Sequence, residues 1–218
     1  MNPYEESCAF VNDSPKHVFI NDIKIERIAK DLAGKDLKCP AWREPVYPES
    51  DDKIIEFFGV TNAINFCFTD FKTGKKFDVE YPEKSGKIWT GAFAMQAAMK
   101  RAIEDELDIL NPAVLYNLNK DDTLHIFRHV STPIPMIGAR LNNLRDIGCT
   151  IKTKFGSFKK IFESSDYKLI SNGNGIVERL SSCESYNDNS WYGDRRINFN
   201  KRAQLFPMVY HGRALSSQ

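Results

Sequence analysis

The chain has 218 residues, 42% hydrophobic and 27% charged, the balance of a globular protein able to bury a core of useful size. Thirty basic residues against twenty-nine acidic ones leave a net charge of +1, too weak a field to hold an extended polyanion. No apolar run approaches the ~20 residues of a membrane span, the acidic start MNPYEES is unlike a signal peptide, and five scattered cysteines (Cys8, Cys39, Cys67, Cys149, Cys183) suit reduced thiols in the cytoplasm.

In chain order, Val18-Phe19-Ile20 is a short apolar stretch, and Ile25, Ile28, Ala29 and Leu32 then recur at helical spacing, predicting a helix that ends near Gly34. A proline-marked connection runs from Pro40 to Pro48. From Ile54 the pattern is first helical and then alternates, with Ile64, Phe66 and Phe68 on one face and Phe77, Val79 and Tyr81 on another. With Lys72-Thr73-Gly74-Lys75 as the turn, residues 62–81 are expected to form a β-hairpin.

Thr90 is placed to cap the next helix, in which Met95, Ala98, Met99, Ala102 and Ile103 share a face. Lys100 with Glu104 and Arg101 with Asp105 are expected on its wet side. Asn111-Pro112 opens another helix. A further one starts near Pro135 on the stripe Ile137, Leu141, Leu144 and Ile147, and Phe155, Phe158, Ile161 and Phe162 read as core. Ser, Asn and Gly crowd residues 171–194, predicting loops around one short helix at Ile176 to Leu180. A last helix carries Lys201 to Phe206 and meets Pro207. The fold expected is a single, mainly α domain with one small antiparallel β-hairpin.

No GxSxG, HExxH, P-loop or GxGxxG signature is present. His125 and His129 are spaced for one helix face, yet no carboxylate or thiol pattern accompanies them, so neither a metal nor a cofactor is expected.

Several segments carry more information together than any does alone. NAINFCF at 62–68, AAMKRAIEDELDI at 97–109, RLNNLRDIG at 140–148, KFGSF at 154–158 and FNKRAQL at 199–205 stand in the order seen in the queuosine salvage family, which this chain resembles over nearly its whole length. The resemblance implies a helical DNA-glycosylase-like architecture. It also implies a hydrolase that cleaves the N-glycosidic bond of queuosine 5'-phosphate and releases queuine for salvage into tRNA. Such a reaction needs a carboxylate near the sugar carbon, an apolar slot for a flat base and a cation for the phosphate.

By that resemblance Lys201 is the active-site cation, although a basic pair with Arg202 on the surface would read the same way. Asn65 is either a substrate-binding amide or a structural hydrogen-bonder. Phe66, Phe68 and Phe93 either wall the base pocket or belong to the core. Arg195 and Arg196 read as a solvated pair before they read as phosphate ligands. The partner expected is a small molecule, with no membrane and no direct nucleic-acid contact, and tRNA binding is the minority reading.

The sequence also departs from the family pattern. Relatives continue beyond the KRAQ segment into a TMFADYR-like stretch whose aspartate is the catalytic carboxylate, whereas this chain reads FPMVYHGRALSSQ. The expectation is therefore a carboxyl-terminally truncated member, with a catalytically inactive, ligand-binding or vestigial form as the alternative. Further departures are the missing histidine after Trp42, Thr69 in place of a tryptophan, and Asn200 in place of a tyrosine. Asp188 and Asp194, near the KRAQ segment, are the candidate stand-in acids.

Overall fold

The computed structural model describes residues 3–13, 15–16, 19–35, 48 and 51–207. The connection at 40–47, with Trp42, and the residues His17, Cys39 and His211 lie outside the described residues.

Helices α1 (Pro3–Asp13), α2 (Asp22–Leu32) and α3 (Asp51–Ala63) come first, followed by strands β1 (Asp78–Glu80) and β2 (Ile88–Thr90). Helices α4 (Gly91–Glu104), α5 (Pro112–Asn117), α6 (Lys120–Ile126), α7 (Ile137–Thr150), α8 (Phe158–Ser164) and α9 (Ile176–Leu180) follow. A second hairpin, β3 (Asn189–Tyr192) with β4 (Arg195–Asn198), leads into α10 at 201–207. The expected mainly α architecture forms, with two small antiparallel ribbons where one was expected. Among the described residues no helix is long and apolar enough to cross a membrane.

Several helices begin where the sequence supplies partners for the free N–H groups. Asn21 caps α2 by accepting from the Lys24 N–H, and Asn111 caps α5 with Pro112 in its first turn. Asn119 and Asp122 make a reciprocal capping box on α6. Thr90 stands at the cap position of α4, but its side chain makes no capping bond. The apolar face of α4 is buried, and Met95, Ala98, Met99 and Ala102 lie inside. Arg101 is a correction. It is buried rather than on the wet side, and it donates to the Ile126 and Arg128 carbonyls at 3.3 and 2.8 Å.

The core is knit around α3. Gly59 leaves room for the Phe158 ring, which an added Cβ would meet at 2.4 Å. Phe158 and Phe162 pack edge-on to Phe206 of α10, with ring centroids 5.5 and 5.2 Å apart. The Glu56 carboxylate accepts from the Phe158 and Lys159 N–H groups, both at 3.1 Å, and so fastens α8 to α3. By contrast α2 buries no residue, although Ile25, Ile28 and Leu32 line up along it.

The hairpin expected at 62–81 forms differently. Residues 62–63 end α3, and the reversal at 70–75 keeps one bridge, Thr69 to Lys76. The regular ladder instead joins β1 to β2, pairing Asp78 with Thr90 and Glu80 with Ile88. The cause lies in residues 64–67, where the carbonyls of Ile64, Phe66 and Cys67 are taken by a buried arginine and cannot face a partner strand, while the Phe68 carbonyl still accepts from the Phe77 N–H at 2.8 Å.

Candidate functional site

Helix α3 ends at Ala63, and its last carbonyls point into a stretch where Cys67 takes a positive φ of 48°. Such carbonyl ends carry partial negative charge and attract cations. Arg140, from the first turn of α7, answers them. Its guanidinium is fully buried and donates to the carbonyls of Ile64, Phe66, Cys67 (2.6 Å) and Pro135 (3.1 Å). It lies over the Phe66 and Phe68 rings, 4.4 and 5.1 Å from their centroids. Burial pulls its pKa down to about 10, so it keeps its charge at neutral pH. Asn143, one turn further along α7, donates to the Ala63 carbonyl at 2.9 Å.

The KRAQ segment arrives at the same place. Asn200 adopts a φ of 45°, a conformation that asparagine tolerates, and turns the chain from β4 into α10. Arg202 then faces inward. Its side chain donates to Asp188 at 2.7 Å and to the Ala63 carbonyl at 2.6 Å, and it lies 5.3 Å from the Phe66 ring centroid. Phe66 is thus held between two guanidinium groups from α7 and α10. The residues 64–68 and 199–205, far apart in sequence, meet through Arg202.

Of the residues singled out by sequence, Asn65 is half-buried and its amide donates to Asn62 Oδ1 at 3.3 Å. Phe66 and Phe68 are half-buried beside Arg140. Phe93 is 48% exposed on α4 and packs near Trp89, with centroids 6.2 Å apart. Arg140, not Phe93, bridges the two loop phenylalanines. Arg195 lies over the Phe10 ring at 4.6 Å, and Arg196 donates to Asn189 at 2.9 Å. Asp188 is corrected as a stand-in acid, since both its oxygens accept from Arg202, from the backbone N–H at 2.8 Å and from Nε at 2.7 Å. Asp194 is exposed at the turn between β3 and β4. His125 lies 3.5 Å from Asp105, which also pairs with Arg128 at 2.8 Å.

Lys201 is exposed, and it lines a groove of about 560 Å³ between α1, the end of β4 and α10. Val11, Ile197, Phe199 and Leu205 make the groove mostly apolar, and Asn12, Asn198 and Gln204 bring carboxamides to it. No Asp or Glu lines it among the described residues. The arrangement offers an apolar slot, hydrogen-bonding amides and one cation, which suits a flat ligand carrying an anion.

Arg140, Asn143 and α1 were not anticipated as parts of this region. Arg140 left a signal, because it falls on the stripe of Ile137, Leu141 and Leu144, where a charge must be paired or hydrogen-bonded. Neither Asn143 nor the contribution of α1 left one.

Residues 46–209 match the family model described as Queuosine salvage protein. The chain is 28% identical over 209 residues to a Bos taurus protein named queuosine 5'-phosphate N-glycosylase/hydrolase, covering 92% of this chain and 60% of that protein. It is 24% identical over 205 residues to a Sphaerobacter thermophilus protein of the same name, covering 93% and 60%. A Nematostella vectensis protein of that name is 26% identical over 211 residues, covering 92% and 58%. The chain therefore spans about 60% of the length of the curated relatives it matches.

Proposed function

The chain belongs to the queuosine salvage protein family, and from that premise we propose that it forms the substrate-holding part of a hydrolase that cleaves the N-glycosidic bond of queuosine 5'-phosphate. The observation that carries this reading is the junction at Arg202, which ties residues 64–68 to the segment presenting Lys201. Breaking a bond between a ribose carbon and a base nitrogen builds positive charge on the sugar. A carboxylate must stabilise that charge and either trap it or activate water.

In this reading Lys201 binds the 5'-phosphate or fixes the catalytic carboxylate and the apolar walls hold the base, while Asn65, Phe66, Phe68 and Phe93 remain proposed substrate-binding residues although none of them lines the Lys201 groove. Asn65 and Phe66 act from a loop that Arg140 holds rigid. The carboxylate comes from the part of the relatives' length that these 218 residues do not span. The displacement occurs at a sugar carbon and needs no metal to polarise a carbonyl or phosphoryl group. The partner is a small nucleotide, handled in the cytoplasm.

The test compares two proteins, the 218-residue chain and a hybrid that continues it with the remaining part of a relative. Chromatographic detection of queuine from queuosine 5'-phosphate is the readout. The hybrid should release queuine and keep its rate in a chelator, while the 218-residue chain should bind the nucleotide and release little. A well-folded hybrid that binds but never hydrolyses would leave the alternative, a non-hydrolysing binding protein.

A further inference from the structure

We infer that helix α1, which lies before the residues matched by the family model, is one wall of the nucleotide slot, holding the base of a nucleoside 5'-monophosphate against α10. This inference rests on the reading that Lys201 faces substrate. Three observations place α1 there. Cys8, Val11 and Asn12 line the same groove as Phe199, Lys201 and Gln204. The groove, about 560 Å³, falls in the size class of small-ligand sites. Helix α1 is also fastened in position, because Ser7 Oγ accepts from the Asn198 N–H at 3.0 Å and Phe10 packs edge-on to Tyr192 with centroids 6.2 Å apart.

The lining decides the occupant. Val11 and Phe199 give apolar faces of the kind that hold a planar ring. Asn12 offers both a donor and an acceptor to a base edge, and Gln204, whose Nε2 donates to the Phe199 carbonyl at 2.7 Å, keeps its carboxamide oxygen as an acceptor. Lys201 is the cation for the phosphate, with no groove-lining carboxylate among the described residues to oppose an anion. A purely apolar ligand would make no use of Lys201 or the carboxamides, and a polyanion would not use the apolar walls.

Cys8 is an exposed free thiol in this groove, and Cys149, exposed on α7, serves as an internal control. The 218-residue chain is alkylated with iodoacetamide, with and without saturating queuosine 5'-phosphate or guanosine 5'-monophosphate, and labelling is read by peptide mass spectrometry. Affinity is measured in parallel by calorimetry. Queuosine 5'-phosphate should slow Cys8 labelling several-fold and leave Cys149 unchanged. Val11→Trp should weaken binding about tenfold or more by filling the slot, with an unchanged unfolding midpoint. Nucleotide binding with unaltered Cys8 labelling overturns the assignment of α1 and leaves the proposed function standing. Equal affinity for both nucleotides with Cys8 protected supports the wall and removes the queuosine reading. Failure to bind either nucleotide overturns both.

Discussion

Lys201 and Arg202 are neighbours that face opposite ways, since successive helical residues are turned by about 100°. Lys201 reaches the groove, whereas Arg202 is spent on Asp188, the Ala63 carbonyl and the Phe66 ring. In the hybrid, Lys201→Ala should lower the rate of queuine release by roughly a hundredfold, as expected when a positioned charge beside the reacting centre is removed. Its unfolding midpoint should not move, and a near-normal rate would take Lys201 out of the site. Arg202→Ala should act through stability. It leaves a half-buried Asp188 without its guanidinium partner and takes from the Ala63 carbonyl one of two donors, Asn143 being the other, for a loss of about 2 kcal/mol in urea unfolding. An alanine variant at 202 as stable as the parent would show that the junction does not depend on this side chain. Sequence marked the basic pair but not which member faces in, because Asp188 and Ala63 become its neighbours only on folding.

At the scale of elements, local signals served best where the forces are local. The cap at Asn111 and the short helix at 176–180 follow from nearby residues. The 62–81 hairpin did not follow, since alternation in Ile64, Phe66 and Phe68 reported burial around Arg140 rather than a strand. The β3–β4 hairpin was hidden in a stretch whose composition reads as loop. Helix packing makes a sharp prediction at two glycines of α7. A Cβ on Gly148 would meet the backbone of α5 at Tyr116 N (2.4 Å) and Pro112 O (2.6 Å), whereas one on Gly138 meets nothing within 4 Å. Gly148→Ala should therefore destabilise by about 2–4 kcal/mol or prevent folding, while Gly138→Ala should stabilise by about 0.5–1 kcal/mol. Comparable unfolding curves for the two would refute the close approach of α5 and α7. Strand β1 is anchored by Asp78. Burial raises its carboxyl pKa, but bonds from the Ser131 hydroxyl and the Thr132 and Ser131 N–H groups outweigh that and hold it below 3.8. A depressed acid adds stability that is present above its unfolded pKa and lost as pH falls through the folded one. Asp78→Asn should thus be less stable than the parent at pH 7, and the gap should close below pH ~3.8. A gap unchanged at low pH would mean that the charge plays no part.

Across the whole molecule, the order of five segments in the sequence carried the family, and the fold explains why order mattered. Segments at 62–68, 140–148 and 199–205 each send a group to the end of α3. The groove itself was not legible, because it is made by α1 meeting α10 across almost the full length of the chain. Molecular charge then bears on the choice of partner. With thirty basic and twenty-nine acidic residues, the chain has too weak a net field to gather a polyanion, and among the described residues the groove presents one lysine amid apolar and amide groups. A mononucleotide engages that one cation. A tRNA would need many phosphate contacts, each steepening the fall of affinity with salt by about 0.7 in log–log slope for single-stranded regions. Binding of queuosine 5'-phosphate to the 218-residue chain should accordingly weaken with salt at a log–log slope of about 1 or less, and tRNA in large excess should fail to displace it. Calorimetry between low and physiological salt, with a tRNA competition arm, measures both. A slope of several units, or displacement by tRNA at micromolar concentration, would transfer the partner from the free nucleotide to the nucleic acid.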